Sequence, residues 1–362
     1  MKMRRERDFV SFFDEATGRY FRTGVIEDGQ DTGRDPFMAS FPELLDVGIM
    51  GHCAHGQKGL CQKAGIECYQ DGLHSRAENM RLEDFEDIAM QCRGHTYQFA
   101  LGGCGDPDQH EQFGEILEIC VQAGIVPNFT TSGFGMDQDT ARLCSRYCGA
   151  VAVSWYRSEY TVRAVEQLVQ AGVKVNIHYV LGRHTIEEAV WLLQSHGFPS
   201  GVNAIVFLLH KPVGLGSQQN VITLENHAFQ EFLRLVNSGK MQYKIGFDSC
   251  TVPALVNAPG EICMESLDTC EGARWSAYIS SDMQMMPCSF DNQDMRWAVD
   301  LRTHTIAEAW KSKEFEEFRS CLREACPGCG KRGLCMGGCP IRPEIVLCGQ
   351  LAEQRWEDVA AG

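Results

Sequence analysis

From residue 44 onward, short apolar or β-branched runs alternate with stretches of helical period. Residues 44–50, 96–101, 125–131, 150–154, 173–181 and 202–209 read as strands, and 82–92, 109–123, 137–147, 160–171, 185–196 and 224–237 read as helices. In the second helix Phe113, Ile116, Leu117, Cys120 and Val121 share one face, and Gly124 supplies the stop beyond its end. Six consecutive β-α units predict a parallel sheet wound by right-handed crossovers. Six fall short of the eight that close a full barrel, so the expected fold class is α/β, an open, partial (β/α)6 barrel of the TIM type. In that architecture chemistry sits at the C-terminal ends of the strands.

The pattern changes on either side of this barrel, which spans residues 41–240. Residues 1–40 alternate around Thr17 and Gly18, predicting a β-hairpin followed by a polar loop at 27–36. This is too short for a domain and reads as an extension packed on the next one. After Gly239 the β-α alternation stops. Residues 243–349 are rich in Cys, Gly, Met and Pro, with short helical pieces such as 305–323. Such a composition buries little core without cross-links, which predicts a second domain over 241–349 held by metal or clusters, and a tail at 350–362.

Composition narrows the chemistry. A chain of 362 residues suggests about two domains. No apolar run reaches the ~18 residues of a membrane span, and the N-terminus lacks the apolar stretch of a secretory signal. The expected compartment is therefore the cytoplasm, where thiols stay reduced and 18 cysteines call for metal or cluster chemistry rather than disulfides. A formal net charge of −15 argues against a nucleic-acid backbone as the main partner.

The most regular cysteine set is Cys326, Cys329, Cys335 and Cys339, at spacings x2, x5 and x3 among glycines and a proline that let the backbone turn tightly. Soft thiolates so arranged select zinc or iron–sulfur, and a zinc knot that only staples the C-terminus fits as well as a cluster. Cys250, Cys263, Cys270, Cys288 and Cys348 bring the candidates to nine, one more than two four-ligand sites need; one run can feed two clusters. A second constellation, Cys53, Cys61 and Cys68, lies on a glycine-bearing loop after the first strand. Three cysteines can hold a [4Fe–4S] cluster with one iron open, or a zinc ion with His52 or His55 as a further ligand. The second strand ends in Gly102-Gly103-Cys104-Gly105-Asp106-Pro107, where small residues admit a ligand to the backbone and an acid can take an ammonium. The sixth strand exits through a charged, glycine-bearing segment, 207–216, which suits a binding rim or a plain turn. Cys92, Cys120 and Cys144 fall within helices and read as small buried apolar residues, while Cys104 is a candidate for the pocket lining. His178 reads as a core histidine or an acid/base facing the barrel interior, and Tyr179 and Asp248 as candidate substrate contacts.

Together these residues resemble radical S-adenosylmethionine (radical SAM) enzymes with a C-terminal SPASM domain. That group's signature, a cysteine pair followed by C-x2-C-x5-C-x3-C and a last cysteine, is matched by Cys270 and Cys288, the run from Cys326 to Cys339, and Cys348. Gly105, Asp106 and Pro107 stand where the family has a G-G-E-P type motif; Thr131, Ser132 and Gly133 follow the third strand and Ser154 ends the fourth. The resemblance implies three [4Fe–4S] clusters. Cys53, Cys61 and Cys68 would hold the one that binds and cleaves S-adenosylmethionine. Cys270, Cys288 and Cys339 with one upstream cysteine, Cys263 by usual spacing or else Cys250, would hold the first auxiliary cluster. Cys326, Cys329, Cys335 and Cys348 would hold the second. Tyr69 would lie near the adenine; Gly103, Gly105 and Asp106 would meet the methionine amino group; Thr131, Ser132, Ser154 and Arg163 would line the ribose and carboxylate.

The implied activity is hydrogen abstraction from a ribosomally made peptide or small protein, leaving a thioether or carbon–carbon crosslink or an oxidation. A flavodoxin- or ferredoxin-type donor would supply electrons, and neither nucleic acid nor membrane is expected as a partner. A small-molecule radical dehydrogenase, a zinc-stabilised binding module and a non-catalytic iron–sulfur carrier are the alternatives. The chain departs from the family in two places. Its first motif is C-x7-C-x6-C rather than C-x3-C-x2-C, so the loop must fold back for its thiolates to converge. Sulfatase-maturating relatives carry an Asp directly after the second cysteine of the pair; here Ser289 follows Cys288 and Asp291 comes later, so no base is assigned.

Overall fold

A computed structural model describes residues 1–239, 241–258 and 266–349. The alternation around Thr17 and Gly18 folds as expected into a hairpin of β2 (Val10–Asp14) and β3 (Arg19–Arg22), joined by a third antiparallel strand, β1 (Lys2–Arg5). Its inner face is fixed to the barrel by a hydrogen bond and a ring contact: Ser11 Oγ donates to the Glu43 carboxylate at 2.5 Å, and the Phe13 ring stacks on Tyr97. The polar loop contains a small ribbon, β4 (Ile26–Glu27) and β5 (Gln30–Asp31).

The six predicted strands all form: β6 (Leu44–Met50), β7 (Gln98–Gly103), β8 (Val126–Thr131), β9 (Ala150–Ser154), β10 (Val175–Leu181) and β11 (Ala204–Leu209). They are parallel and adjacent in chain order. Two short helices, α1 (Ala54–Gln57) and α2 (Leu60–Lys63), lie in the first loop. The crossover helices are α3 (Leu82–Cys92), α4 (Phe113–Gln122), α5 (Gln138–Tyr147), α6 (Glu159–Gln170) and α7 (Ile186–Ser195), and α8 (His227–Val236) follows β11. Helix-facing strand residues such as Leu45, Val47, Phe99, Val151, Ile177 and Phe207 are fully buried. Many of the alternate positions, among them Asp46, Gly48, Ala100, Gly102, Thr130, Ser154 and His178, are small or polar, while Val180 and Leu208 add apolar wall. Closed barrels fill their interior with layers of bulky branched side chains. This one leaves a lumen, with a cavity of about 380 Å³ reaching the C-terminal ends of the strands.

The region after Gly239 differs from expectation. It extends the barrel sheet at both edges: β12 (Ile245–Phe247) pairs parallel with β11, and β13 (Ser276–Ile279) pairs parallel with β6 and then with the antiparallel β14 (Gln284–Met286) and β15 (Val299–Asp300). Nor does it lack core. Helices α10 (Ile306–Trp310) and α11 (Lys313–Glu324) set Trp310, Phe315, Phe318 and Leu322 into the same apolar cluster as the barrel. Two buried arginines stitch this half together. Arg319 donates to the carbonyls of Ala273 and Trp310, each at 2.7 Å. Arg274, fully buried, donates to the Phe37 carbonyl at 2.7 Å and the Cys270 carbonyl at 3.2 Å and pairs with Asp35, tying the N-terminal extension to a cysteine-bearing turn. Two further short helices, α9 (Val252–Leu255) and α12 (Arg332–Cys335), complete the described elements. Among the described residues no helix is long and apolar enough to cross a membrane.

Candidate active site

The lumen opens where β6 and β7 end, and the loop after β6 closes over it. Cys53 caps the N-terminus of α1, its sulfur accepting from the Gly56 N–H at 3.1 Å. The chain then enters α2, which buries Cys61, and returns through a turn to Cys68, whose sulfur lies 3.5 Å from the Gly72 N–H. Gly72 is where the two ends of the loop meet: a Cβ there would come within 3.0 Å of the Cys53 Cβ and 3.4 Å of its sulfur. The enlarged spacing is thus taken up by two short helices, and the three sulfurs face one cavity. Burial pushes the Cys53 and Cys61 thiols up to about 12. Cys104 also lines the cavity, its thiol 3.5 Å from the Gln70 carbonyl, and stands within electrostatic reach of Cys53 and Cys68.

The exit of β11 braces this loop. Glu67 accepts from the Ser217 N–H at 2.8 Å and its hydroxyl at 2.9 Å, and the Leu215 N–H donates to the Cys68 carbonyl at 2.8 Å. This gives the charged, glycine-bearing segment a structural role alongside its place on the rim.

Of the other residues expected at the site, Tyr69, Gly103, Gly105, Asp106 and Ser154 line the cavity. A Cβ on Gly103 would lie 2.4 Å from the Met50 carbonyl oxygen, and one on Gly105 would lie 2.2 Å from that of His52. Both glycines are required by close packing of the two loops. Ser132 acts behind Asp106: its N–H and hydroxyl donate to the two carboxylate oxygens at 2.7 and 2.5 Å, which aims the buried acid. Thr131 is buried, its hydroxyl accepting from the Gly133 N–H at 3.0 Å. Arg163 is not brought to the cavity; it is exposed on the outer face of α6. Tyr179 is likewise not a substrate contact. Its side chain faces the helices, with its hydroxyl 2.8 Å from the Thr185 carbonyl and 2.7 Å from the Glu188 carboxylate. Asp248 does face the cavity, paired with Lys211 and accepting from the Leu209 N–H at 3.0 Å and the Thr251 hydroxyl at 2.7 Å. Burial opposes the charge on Lys211, yet Asp248 beside it holds the ammonium above its ordinary range. His178 faces the lumen near Thr130, and burial lowers it to about 4, so it is neutral at physiological pH.

Two lumen residues, Tyr156 and Asp46, had no motif to announce them, and a third, His55, was expected only as an alternative zinc ligand. Asp46 lies on the barrel wall with no hydrogen-bond or ion-pair partner among the described residues, and burial raises it to about 7. A carboxyl that ionises near 3.8 unfolded and near 7 folded binds more protons when folded, so its effect is to lower stability as pH rises through that window. The ionised form costs roughly 2 kcal/mol above pH 7, less than full burial would because the group faces a cavity that admits water. Asp46→Asn should remove this decline; urea unfolding of both proteins from pH 4 to 8 checks it, and parallel stability curves would refute it.

The remaining cysteines fall into two sets. Cys250, just after β12, stands beside the Cys339 thiol, and that neighbour, with burial, raises it well above the ordinary thiol range. Cys270 and Cys288 stand close enough to feel the charge of Cys250. Cys263, the upstream cysteine that spacing favours, lies outside the described residues; the structure brings Cys250 to this set. Cys326, Cys329, Cys335 and Cys348 form the other set, each within electrostatic reach of its neighbours. Cys92, Cys120 and Cys144 are fully buried on the helices, as expected of small apolar residues. Among the described residues no three His, Cys, Asp or Glu side chains are spaced to clasp a single metal ion. The sets consist of thiols alone, the donors that iron–sulfur clusters take. Binding would ionise thiols that burial alone keeps protonated.

Residues 270–331 match the family model of SPASM, an iron–sulfur cluster-binding domain. No curated protein matches the chain significantly. Among solved structures the chain is similar to SuiB of Streptococcus suis bound to S-adenosylmethionine, at 15% identity and a TM-score of 0.64, covering 86% of this chain and 77% of that one. SuiB bound to its precursor peptide SuiA matches at 14% identity and a TM-score of 0.65, covering 86% and 76%. A third, anSMEcpe with S-adenosylmethionine and the Cp18Cys peptide, matches at 18% identity and a TM-score of 0.58, covering 88% of this chain and 99% of that one. The chain therefore carries a SPASM domain and shares the fold of these proteins.

Proposed function

We propose that this SPASM-bearing chain is a radical SAM enzyme that acts on a peptide or small protein. The observation that carries the reading is the sorting of the cysteines. One set of three opens on the lumen beside a fixed carboxylate, and two sets of four lie behind it. Cys53, Cys61 and Cys68 would hold a [4Fe–4S] cluster, which when bound would supply the electron for reductive cleavage of S-adenosylmethionine to methionine and a 5′-deoxyadenosyl radical.

The chain's own residues do the rest. Asp106, aimed by Ser132, takes the methionine ammonium; Ser154 meets the ribose and Tyr69 the adenine. With S-adenosylmethionine and substrate filling the cavity, the aromatic walls of Trp155, Tyr156 and Phe290 would shield the radical from solvent, so that it meets a positioned carbon–hydrogen bond. Lys211 and Asp248 stand between this chamber and the set of Cys250, Cys270, Cys288 and Cys339. That set and the one of Cys326, Cys329, Cys335 and Cys348 would hold the two auxiliary clusters through which the electron of an oxidation or crosslink leaves. SuiB and anSMEcpe each have a structure with a bound peptide, which supports a peptide as substrate here.

Purified and reconstituted without oxygen, the protein should be brown. With dithionite and S-adenosylmethionine it should release 5′-deoxyadenosine, measured by liquid chromatography and mass spectrometry. A colourless zinc protein, or an iron protein forming no 5′-deoxyadenosine, would overturn the reading.

A further inference from the structure

The spacer between Cys53 and Cys61 contains His55, 2% exposed and boxed by aromatic rings: Tyr156 at 4.7 Å, Tyr160 at 5.6 Å and Phe134 at 5.9 Å between centroids. Both ring nitrogens are engaged. Nδ1 lies 3.1 Å from the Cys61 sulfur, and Nε2 lies 2.6 Å from the hydroxyl of Tyr160, which arrives from α6 far along the chain. A sulfur that serves as a cluster ligand is a thiolate and only accepts hydrogen bonds, whereas a tyrosine hydroxyl can donate. In a neutral ring one tautomer satisfies both contacts: Tyr160 donates to Nε2, and Nδ1–H donates to the sulfur.

We propose that His55 is a positioning residue that donates a hydrogen bond to the Cys61 sulfur, with Tyr160 fixing its tautomer, and so sets the reduction potential of the cluster held by Cys53, Cys61 and Cys68. This rests on the cluster assignment above. A donor to a cluster thiolate draws electron density from it and favours the reduced, more negative form, which raises the potential. The same contact explains how the enlarged loop holds its middle cysteine. The ring fills the space that the longer spacer creates and ties Cys61 to the barrel through α6.

The test uses reconstituted holoenzyme and an EPR-monitored redox titration, in which the signal that shifts on adding S-adenosylmethionine identifies the cluster. His55→Leu keeps the bulk and loses the donor; it should retain its iron, titrate at a more negative potential and form 5′-deoxyadenosine about tenfold more slowly under limiting reductant. His55→Asn, whose amide can donate from the Nδ1 position, should return the potential most of the way. Tyr160→Phe leaves the proton free to move to Nε2 and should shift the potential in the same direction as His55→Leu. An unchanged potential in His55→Leu overturns the proposal; if that variant loses its cluster, an unchanged potential in Tyr160→Phe does. Should the wild-type protein show no signal that responds to S-adenosylmethionine, the cluster assignment itself has failed, and the role of His55 with it.

Discussion

Replacing Cys53, Cys61 and Cys68 together by alanine should remove about a third of the iron from the anaerobically reconstituted protein, and all 5′-deoxyadenosine formation with it. The partial loss follows from geometry. The three sulfurs face the lumen from the loop after β6, whereas the other eight thiols are held by the edge strands and the C-terminal turns. The loop should survive the change. The change removes only the sulfur's part in the cap of α1, the Cys53 carbonyl still accepting from the Gln57 N–H at 2.9 Å, and Glu67 with Ser217 and the Leu215–Cys68 backbone bond still pin the far end. Circular dichroism should therefore match the wild type while iron quantitation falls. No loss of iron would mean these thiols hold no cluster. Loss of all iron would mean that the three sets do not assemble independently.

The barrel was legible because its strands carry bulky apolar residues on the helix side and alternate them with many small or polar ones on the other. The apolar runs at 44–50 and 150–154 coincide with β6 and β9, and the others begin or end within two residues of β7, β8, β10 and β11. What the sequence hid was structure that depends on partners far along the chain. The strand Lys2–Arg5 has no apolar signal; Arg4 finds the His95 carbonyl at 2.6 Å, a contact no local pattern announces. The edge strand Ile245–Phe247 and the strand Gln284–Met286 are three residues long, too short for a period. Arginine is ordinarily a surface residue, yet Arg274 and Arg319 lie inside the core, where carbonyl groups satisfy their guanidinium donors. An apparently coreless C-terminal half is thus packed on the barrel through residues that composition assigns to solvent.

The site shows the same division. Thiol spacing and the Gly103–Asp106 turn are local signals and led to the cavity. Arg163 and Tyr179 were misplaced because the direction of a side chain on a helix or strand is decided by what packs there. Asp46 was passed over for the converse reason: a charge within a strand reads as the solvent face of a sheet, and in an open barrel that face is the lumen. His55 reads from the sequence as an alternative zinc ligand, but its partner Tyr160 comes from another helix, so no local pattern announces their contact.

The choice between Cys250 and Cys263 is where spacing and structure part. Usual spacing favours Cys263, thirteen residues further along toward Cys270. The structure puts Cys250 at the end of an edge strand, against Cys339 and within reach of Cys270, Cys288 and Lys211. The Asp248 carboxylate that holds Lys211 also accepts from Thr251, so the residues flanking Cys250 are fixed on both sides. A thiolate placed there would be oriented before iron arrives, and orientation of ligands by their neighbours is what makes a site assemble. Cys250→Ala should consequently lose about a third of its iron, while Cys263→Ala keeps it. The uncoupled formation of 5′-deoxyadenosine should persist in both, because the Cys53, Cys61 and Cys68 set is untouched. Iron quantitation with the 5′-deoxyadenosine assay on the two variants decides it: iron lost from Cys263→Ala and retained in Cys250→Ala would return the fourth position to Cys263.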